Sequence, residues 1–190
     1  MSKRISLTIQ AHQFIQKHLN VGDIAIDSTI GNGHDTLFLV RQVDRRGLVF
    51  GFDVQHQAIE STQTRLVADL VFKNSRLFNT SHENLIEFIP TQYHGKVKAI
   101  MFNLGYLPGS DKTVITQKDS TLLALNQAIK ILAPNGVITI MAYPGHSGGD
   151  QETKQIKQWC KQLNTDEFIV KQINSSEKDS APVLFTIEKD

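Results

Sequence analysis

Short apolar runs alternate along this chain with longer stretches in which apolar residues recur every three or four positions. The runs are Ile24–Ile26, Leu48–Phe52, Arg76–Phe78, Val97–Phe102, Val137–Ile140, Phe168–Ile173 and Val183–Ile187. Each is short and bounded by polar or turn residues, so each predicts a strand. Between them lie helical patterns. Leu37, Val40 and Val43 mark one crossover helix, and Ala58, Ile59, Leu66, Val67 and Leu70 mark the next. Leu122, Leu125, Ile129 and Leu132 mark a later helix, with Pro134-Asn135-Gly136 as its stop signal. A first helix precedes all of these and carries His12 and His18. Apolar strands alternating with helices predict a parallel sheet covered on both faces.

The last two strands break the rhythm. Only the polar stretch Asn174 to Ser180 separates them, which is too short for a helical crossover, so they should pair as an antiparallel hairpin. A seven-stranded, mostly parallel Rossmann-like α/β sheet with a C-terminal antiparallel hairpin and helices on both faces resembles the class I methyltransferase plan. No internal repeat, low-complexity tract or long linker divides residues 1–190, which are expected to form one domain.

Composition narrows the function. With 20 Lys+Arg against 19 Asp+Glu, the formal charge of +1 gives no global field for wrapping DNA. The single cysteine allows neither an intramolecular disulfide nor a Cys-based zinc cluster. No run of eighteen apolar residues occurs, and MSKRISLTIQ is too polar for a secretory signal. The expected compartment is the cytoplasm, with no membrane association.

The most informative stretch is Asp27-Ser28-Thr29-Ile30-Gly31-Asn32-Gly33-His34-Asp35-Thr36. A strand ends at Asp27, a glycine loop follows, and Asp35 is placed to cap a helix beginning near Thr36. In α/β sheets ligands bind beyond the carboxyl ends of the strands, so this loop should floor a site. Two ligands compete for it. A dinucleotide would favour a third glycine where Thr36 stands, whereas S-adenosylmethionine has an ammonium group that Asp27 could bind directly or through water. Asp53, at the end of the second strand, could accept both ribose hydroxyls of either ligand. Asp27 and Thr36 lean towards S-adenosylmethionine. After the third strand, Ser81 or His82 could hydrogen-bond the adenine, or Ser81 or Thr80 could simply cap a helix over Asn84–Ile89.

The fourth strand delivers Asn103-Leu104-Gly105-Tyr106-Leu107-Pro108-Gly109. Asn-x-x-Tyr here resembles the Asn-Pro-Pro-Tyr loop of methyltransferases that act on exocyclic amines. An amide oxygen and a backbone carbonyl accept hydrogen bonds from the amine and aim its lone pair at the sulfonium methyl, while an aromatic ring stacks on the base. Such an attack needs no metal. A protonated aliphatic amine must first lose a proton, and His146, in Tyr143-Pro144-Gly145-His146 after the fifth strand, is the expected acceptor. His34 is a second candidate beside the site. His12 and His18 are expected to be solvent-exposed or engaged in simple local hydrogen bonds. Cys160 falls on the stripe Ile156, Trp159, Cys160, Leu163 and is core, not a nucleophile. Candidate phosphate contacts are Lys112, the cluster Arg41, Arg45 and Arg46, and the cluster Lys154, Lys157 and Lys161, most of which would be solvated faces.

Taken in order, these motifs resemble the S-adenosylmethionine-dependent tRNA 5-(aminomethyl)-2-thiouridine methyltransferase family, long labelled rRNA methylases. The resemblance rests on Gly22-Asp23, Asp27 to Leu37, Asp53-Val54-Gln55 with Ala58 and Thr62, Ser81-His82-Glu83, Phe102 to Gly109, Asp111-Lys112, and Tyr143 to His146 with Gly148, Gly149 and Glu152. Ser28 stands where a small residue, often alanine, is expected. The resemblance implies methylation of the aminomethyl nitrogen on a wobble uridine, giving 5-methylaminomethyl-2-thiouridine, with the tRNA anticodon stem-loop as partner. The implied cofactor contacts are Asp27, Thr29, Gly31, Asn32, Gly33, Asp35, Thr36, Asp53, Gln55, Ser81, His82 and Asn103. Implied substrate contacts are His34, Tyr106, Leu107, Pro108, Gly109, Lys112, Tyr143 and His146, with Asn103, Tyr106 and His146 closest to the chemistry. Pairing into a homodimer would give so compact an enzyme more surface. The alternatives are a methyltransferase for rRNA or a small amine, and a non-catalytic nucleotide-binding module.

Overall fold

The structure is a computed structural model describing residues 5–105, 116, 118–145 and 148–190. Seven strands form one sheet: β1 (Ile24–Asp27), β2 (Leu48–Asp53), β3 (Ser75–Asn79), β4 (Val97–Asn103), β5 (Leu132–Ala142), β6 (Phe168–Asn174) and β7 (Val183–Lys189), in the order β3-β2-β1-β4-β5-β7-β6. The first five run parallel; β7 is antiparallel to both β5 and β6. The expected sheet and C-terminal hairpin are both present. The chain order reverses beside β1, where β2 lies on one side and β4 on the other, and this is the switch point at which such sheets bind ligands.

Alternation along the strands divides the core. Ile26, Phe50, Phe52, Ile100, Phe102, Ile138 and Ile140 point to one face, where α4 (Leu85–Phe88), α5 (Lys118–Ile131) and α6 (Gly149–Gln162) cover them. Ala25, Val49, Ala99, Met101, Val137 and Met141 point to the other, covered by α1 (Leu7–Gln16), α2 (His34–Val43) and α3 (His56–Ala68). Strands this uniformly buried explain why the sequence runs are continuous rather than alternating. Leu7, Ala11 and Ile15, four residues apart, seat α1 against β5 and β7. No helix among the described residues is long and apolar enough to cross a membrane.

Three local expectations are corrected. Leu132 opens β5 rather than ending α5, and Pro134-Asn135-Gly136 forms an irregularity within β5. Asn135 there takes a left-handed φ of 55°: the turn chemistry is right, but the chain bulges and continues as strand. The helix expected over Asn84–Ile89 is a 3-10 turn, His82–Asn84, followed by the single turn α4. Of the two proposed caps Ser81 acts, its Oγ accepting from Glu83 N–H, whereas Thr80 Oγ1 accepts from the Asn84 side chain instead. Finally, α2 begins at His34 with Gly33, not Asp35, at its N-cap. Cys160 is core as expected, and burial pushes its thiol up to about 12.

Candidate functional site

Beyond the carboxyl ends of the parallel strands lies a cleft of about 520 Å³, within the range that encloses a nucleoside-sized ligand. Thr29, Gly31, Asn32, His34 and Asp35 from the first loop line it, with Asp53 and Gln55 after β2, Ser81 and His82 after β3, Asn103 after β4, and Tyr143 after β5. Eleven residues expected at a site from five separated motifs therefore converge on one cavity. The expectations placed on Tyr106, Leu107, Pro108, Gly109, Lys112 and His146 lie outside the described residues.

Asp27 does not reach the cleft surface. Its side chain is fully buried, Oδ2 accepting from Thr36 Oγ1 at 2.6 Å and Oδ1 from Thr29 N–H at 3.1 Å. It ties the loop to α2 from beneath, so of the two ammonium contacts expected of it, direct or through water, the geometry does not arrange the direct one. Burial, reinforced by the charge of Asp35, raises its pKa to about 7. Thr36 and Gly33 stand behind the cleft wall as well. A Cβ on Gly33 (φ +75°) would lie 2.4 Å from Thr62 Oγ1, so glycine is needed both for its conformation and for the close approach of α3.

Asp53 presents a different picture. Oδ2 accepts from Gly31 N–H and Oδ1 from Gln55 N–H, both at 2.9 Å. Each oxygen keeps capacity for a second donor on the cleft side. Burial raises its pKa, and these two N–H groups oppose that rise.

Two buried polar atoms in the cleft wall have no partner among the described residues, Ser28 Oγ and His82 Nε2. His82 bonds the Ser28 backbone, which leaves Nε2 as the spare ring nitrogen. Burial drives its pKa down to about 4, so the ring is neutral near pH 7 and Nε2 is an acceptor. Orphaned buried polar groups are rare and call for a partner. Their position, together with Asp53, fits the base and ribose of a nucleoside cofactor.

Asp35, expected as a helix cap, has another task. It is 7% exposed, in the first turn of α2, where the helix dipole favours an acid. Its Oδ1 lies 2.6 Å from His12 Nε2 and its Oδ2 accepts from Asn103 Nδ2 at 3.2 Å. His12 is therefore not the simple local residue expected from sequence, and His18 is so only in part: it bonds the Phe14 carbonyl one turn back, but its Nε2 also lies 3.4 Å from Glu188 Oε1 on β7. Tyr143 is close enough that burial and the Asp35 charge both raise its pKa, keeping the phenol protonated. Asn103 itself is fixed through its backbone, its N–H donating to Thr29 Oγ1 at 2.6 Å.

Glu152 was given no role beyond its place in a motif, yet it is 3% exposed and accepts from Thr121 Oγ1 at 2.7 Å and Thr116 Oγ1 at 3.0 Å. Thr116 Oγ1 also accepts from Gly105 N–H, and Thr116 N–H donates to the Gly105 carbonyl, each at 2.9 Å. The two ends of the segment 105–116 are thus stapled together and anchored to α5 and α6. Glu152→Ala strips the buried hydroxyls of their acceptor, an expected cost of about 2 kcal/mol in stability. A thermal melt of Glu152→Ala beside the parent would measure this; an unchanged melting temperature would show that these bonds carry no stability. Of the proposed phosphate contacts, Arg41 is already held by both oxygens of Asp69.

The family model described as "Putative rRNA methylase" matches residues 49–188. Over 189 residues the chain is 36% identical to the chloroplastic tRNA (mnm(5)s(2)U34)-methyltransferase of Arabidopsis thaliana, covering 95% of this chain and 68% of that protein. The crystal structure of a "putative rRNA-methylase" from Clostridium thermocellum superposes with a TM-score of 0.92 at 34% identity, covering all of both chains. A "putative methyltransferase" from Streptococcus mutans, in complex with SAH, does so with a TM-score of 0.86 at 33% identity, again over all of both chains. The fold is that of the class I methyltransferases, and the chain belongs to the rRNA methylase family whose motifs its sequence resembles.

Proposed function

We propose that this protein transfers a methyl group from S-adenosylmethionine to the aminomethyl nitrogen of 5-aminomethyl-2-thiouridine at the wobble position of tRNA. The observation that carries the reading is Asn103. Its carboxamide stands at the carboxyl end of β4 on the cleft wall, with its NH₂ directed to the Asp35 carboxylate and its oxygen left without a protein partner among the described residues. An oriented amide oxygen beside a nucleoside-sized cleft is what an amine acceptor requires. The plant relative's name specifies the same modified nucleoside, and the SAH held by the Streptococcus mutans protein agrees in cofactor class.

In this reading Asp53 holds the ribose hydroxyls, and His82 Nε2 with Ser81 and Ser28 receives the base. Bound there, the cofactor supplies an electrophilic methyl group on a sulfonium. The protein's share is orientation: Asn103 Oδ1 accepts one N–H of the substrate amine and turns its lone pair towards that methyl. Tyr106 stacks on the unpaired base, the residues after it contact the substrate, and His146 takes the proton of the substrate ammonium. The partner is the anticodon loop, whose bases are accessible without a strongly basic protein; a dimer would widen the contact surface.

The test is transfer of labelled methyl from S-adenosylmethionine to tRNA from cells lacking this protein, followed by nucleoside analysis. Label in 5-methylaminomethyl-2-thiouridine is expected. Unlabelled tRNA from a protein that still binds S-adenosylhomocysteine would overturn the substrate and leave the cofactor standing, with rRNA and small amines next to be tried.

A further inference from the structure

A hydrogen-bonded chain that none of the sequence motifs contains whole ends at the cleft wall: His12, Asp35 and Asn103 come from α1, α2 and β4. His12 Nε2 lies 2.6 Å from Asp35 Oδ1, and Asn103 Nδ2 lies 3.2 Å from Asp35 Oδ2. An ionised carboxylate only accepts. Both neighbours must then donate to it, His12 with its Nε2–H and Asn103 with its NH₂. That fixes the otherwise ambiguous orientation of the Asn103 amide and presents its oxygen to the cleft.

The His12 ring is itself held. It stacks on Phe38, with centroids 3.9 Å apart and planes 3° from parallel. Phe38 stands one turn beyond Asp35 on α2, so a single helix provides both the acceptor and the plate against which the ring lies. The donor comes from α1, whose buried residues Leu7, Ala11 and Ile15 hold it on the sheet with His12 at the flank of that stripe. Asp35 is almost wholly enclosed while His12 is a quarter exposed.

We propose that His12 is a positioning residue: by saturating Asp35 Oδ1 it holds the carboxylate with Oδ2 on Asn103, and so locks the Asn103 amide oxygen towards the substrate amine. Without His12 the carboxylate loses one of its two donors. It is then free to turn, and once Oδ2 no longer fixes the NH₂ the Asn103 amide can rotate its oxygen out of the cleft. The kinetic side of this inference rests on amine methylation as the function; the orientation of Asn103 does not.

Two substitutions separate the hydrogen bond from the packing. His12→Phe keeps the volume and the stack on Phe38 but has no donor. His12→Gln places an amide N–H where Nε2–H was and gives up the ring. In His12→Phe, kcat for methyl transfer to tRNA is expected to fall at least ~10-fold, with Kd for S-adenosylhomocysteine and KM for S-adenosylmethionine within about twofold. His12→Gln should recover kcat to within about threefold of the parent. In ¹H–¹⁵N spectra, which need no substrate, the Asn103 side-chain NH₂ resonances should shift in His12→Phe and return in His12→Gln. Unchanged kcat and unchanged Asn103 resonances in His12→Phe would overturn the proposal. So would a folded His12→Gln protein as impaired as His12→Phe, because packing rather than the donor would then be what matters. If the resonances behave as expected and the parent protein leaves tRNA unmethylated, the positioning stands and the substrate assignment falls.

Discussion

Asn103→Ala is expected to lower kcat by ~10²–10³-fold, about 3–4 kcal/mol of lost transition-state stabilisation, while leaving the Kd for S-adenosylhomocysteine within a few-fold. The change is confined to the side chain. The Asn103 backbone N–H is held by Thr29 Oγ1 and the next residue's N–H by the Met141 carbonyl, and neither bond involves the carboxamide. What disappears is the acceptor that aims the amine, together with one donor to Asp35. Asn103→Asp should be no milder. It sets a carboxylate against Asp35, at a spacing that the native amide bridges with a 3.2 Å hydrogen bond, and the repulsion would push the new side chain out of line. Steady-state kinetics on purified undermodified tRNA, alongside calorimetric titration of S-adenosylhomocysteine, would measure both effects. Wild-type turnover in Asn103→Ala would remove the basis of the amine-orienting reading.

The strands were legible because the central sheet is buried on both faces, so Val49–Phe52 and Val137–Ile140 read as near-continuous apolar runs, broken only by Gly51 and Thr139. The hairpin was legible because seven polar residues cannot make a crossover. The end of α5 misled because Leu132 keeps the helical period while Pro134-Asn135-Gly136 imitates a stop; the burial that fixes Leu132 comes from the neighbouring strand β4. At the site, loop residues such as Gly31, Asp53 and Asn103 announce themselves by lying at strand ends. His12 does not: its partners Asp35 and Phe38 are 23 and 26 residues away in sequence, and nothing near position 12 distinguishes it from an ordinary polar residue beside a buried stripe. Asp35 was misassigned because an acid at a helix start reads as a cap, and only the fold shows it drawn to residues from α1 and β4. Glu152 did leave a signal. It falls four residues before Ile156 and seven before Trp159, on the buried face of α6, and an acid on an apolar stripe implies specific partners.

Asp27→Asn should stabilise the ligand-free protein above neutral pH and weaken its grip on the cofactor. In the native state burial, with the charge of Asp35 adding to it, raises the Asp27 pKa from 3.8 to about 7. Between those values the folded protein carries a proton at this position that the unfolded chain has lost. The contribution of Asp27 to stability is therefore fully present below about pH 4, declines as the pH rises to about 7, and is flat beyond. A shift of this size corresponds to a loss of about 4 kcal/mol. An asparagine of the same shape carries no such term, so the melting temperature of Asp27→Asn relative to the parent should climb from pH 4 to pH 7 and then level off. Binding should move the other way. A cationic ligand in the cleft favours the ionised form of Asp27, so in the parent protein S-adenosylmethionine binding releases a proton and tightens as pH rises through 7. That slope should vanish in Asp27→Asn, with weaker binding at pH 8. Thermal melts and calorimetric Kd values over pH 5–8 would measure both effects. An Asp27→Asn protein that melts below the parent at pH 8 would mean that the bonds to Thr36 and Thr29 outweigh the cost of burying the charge.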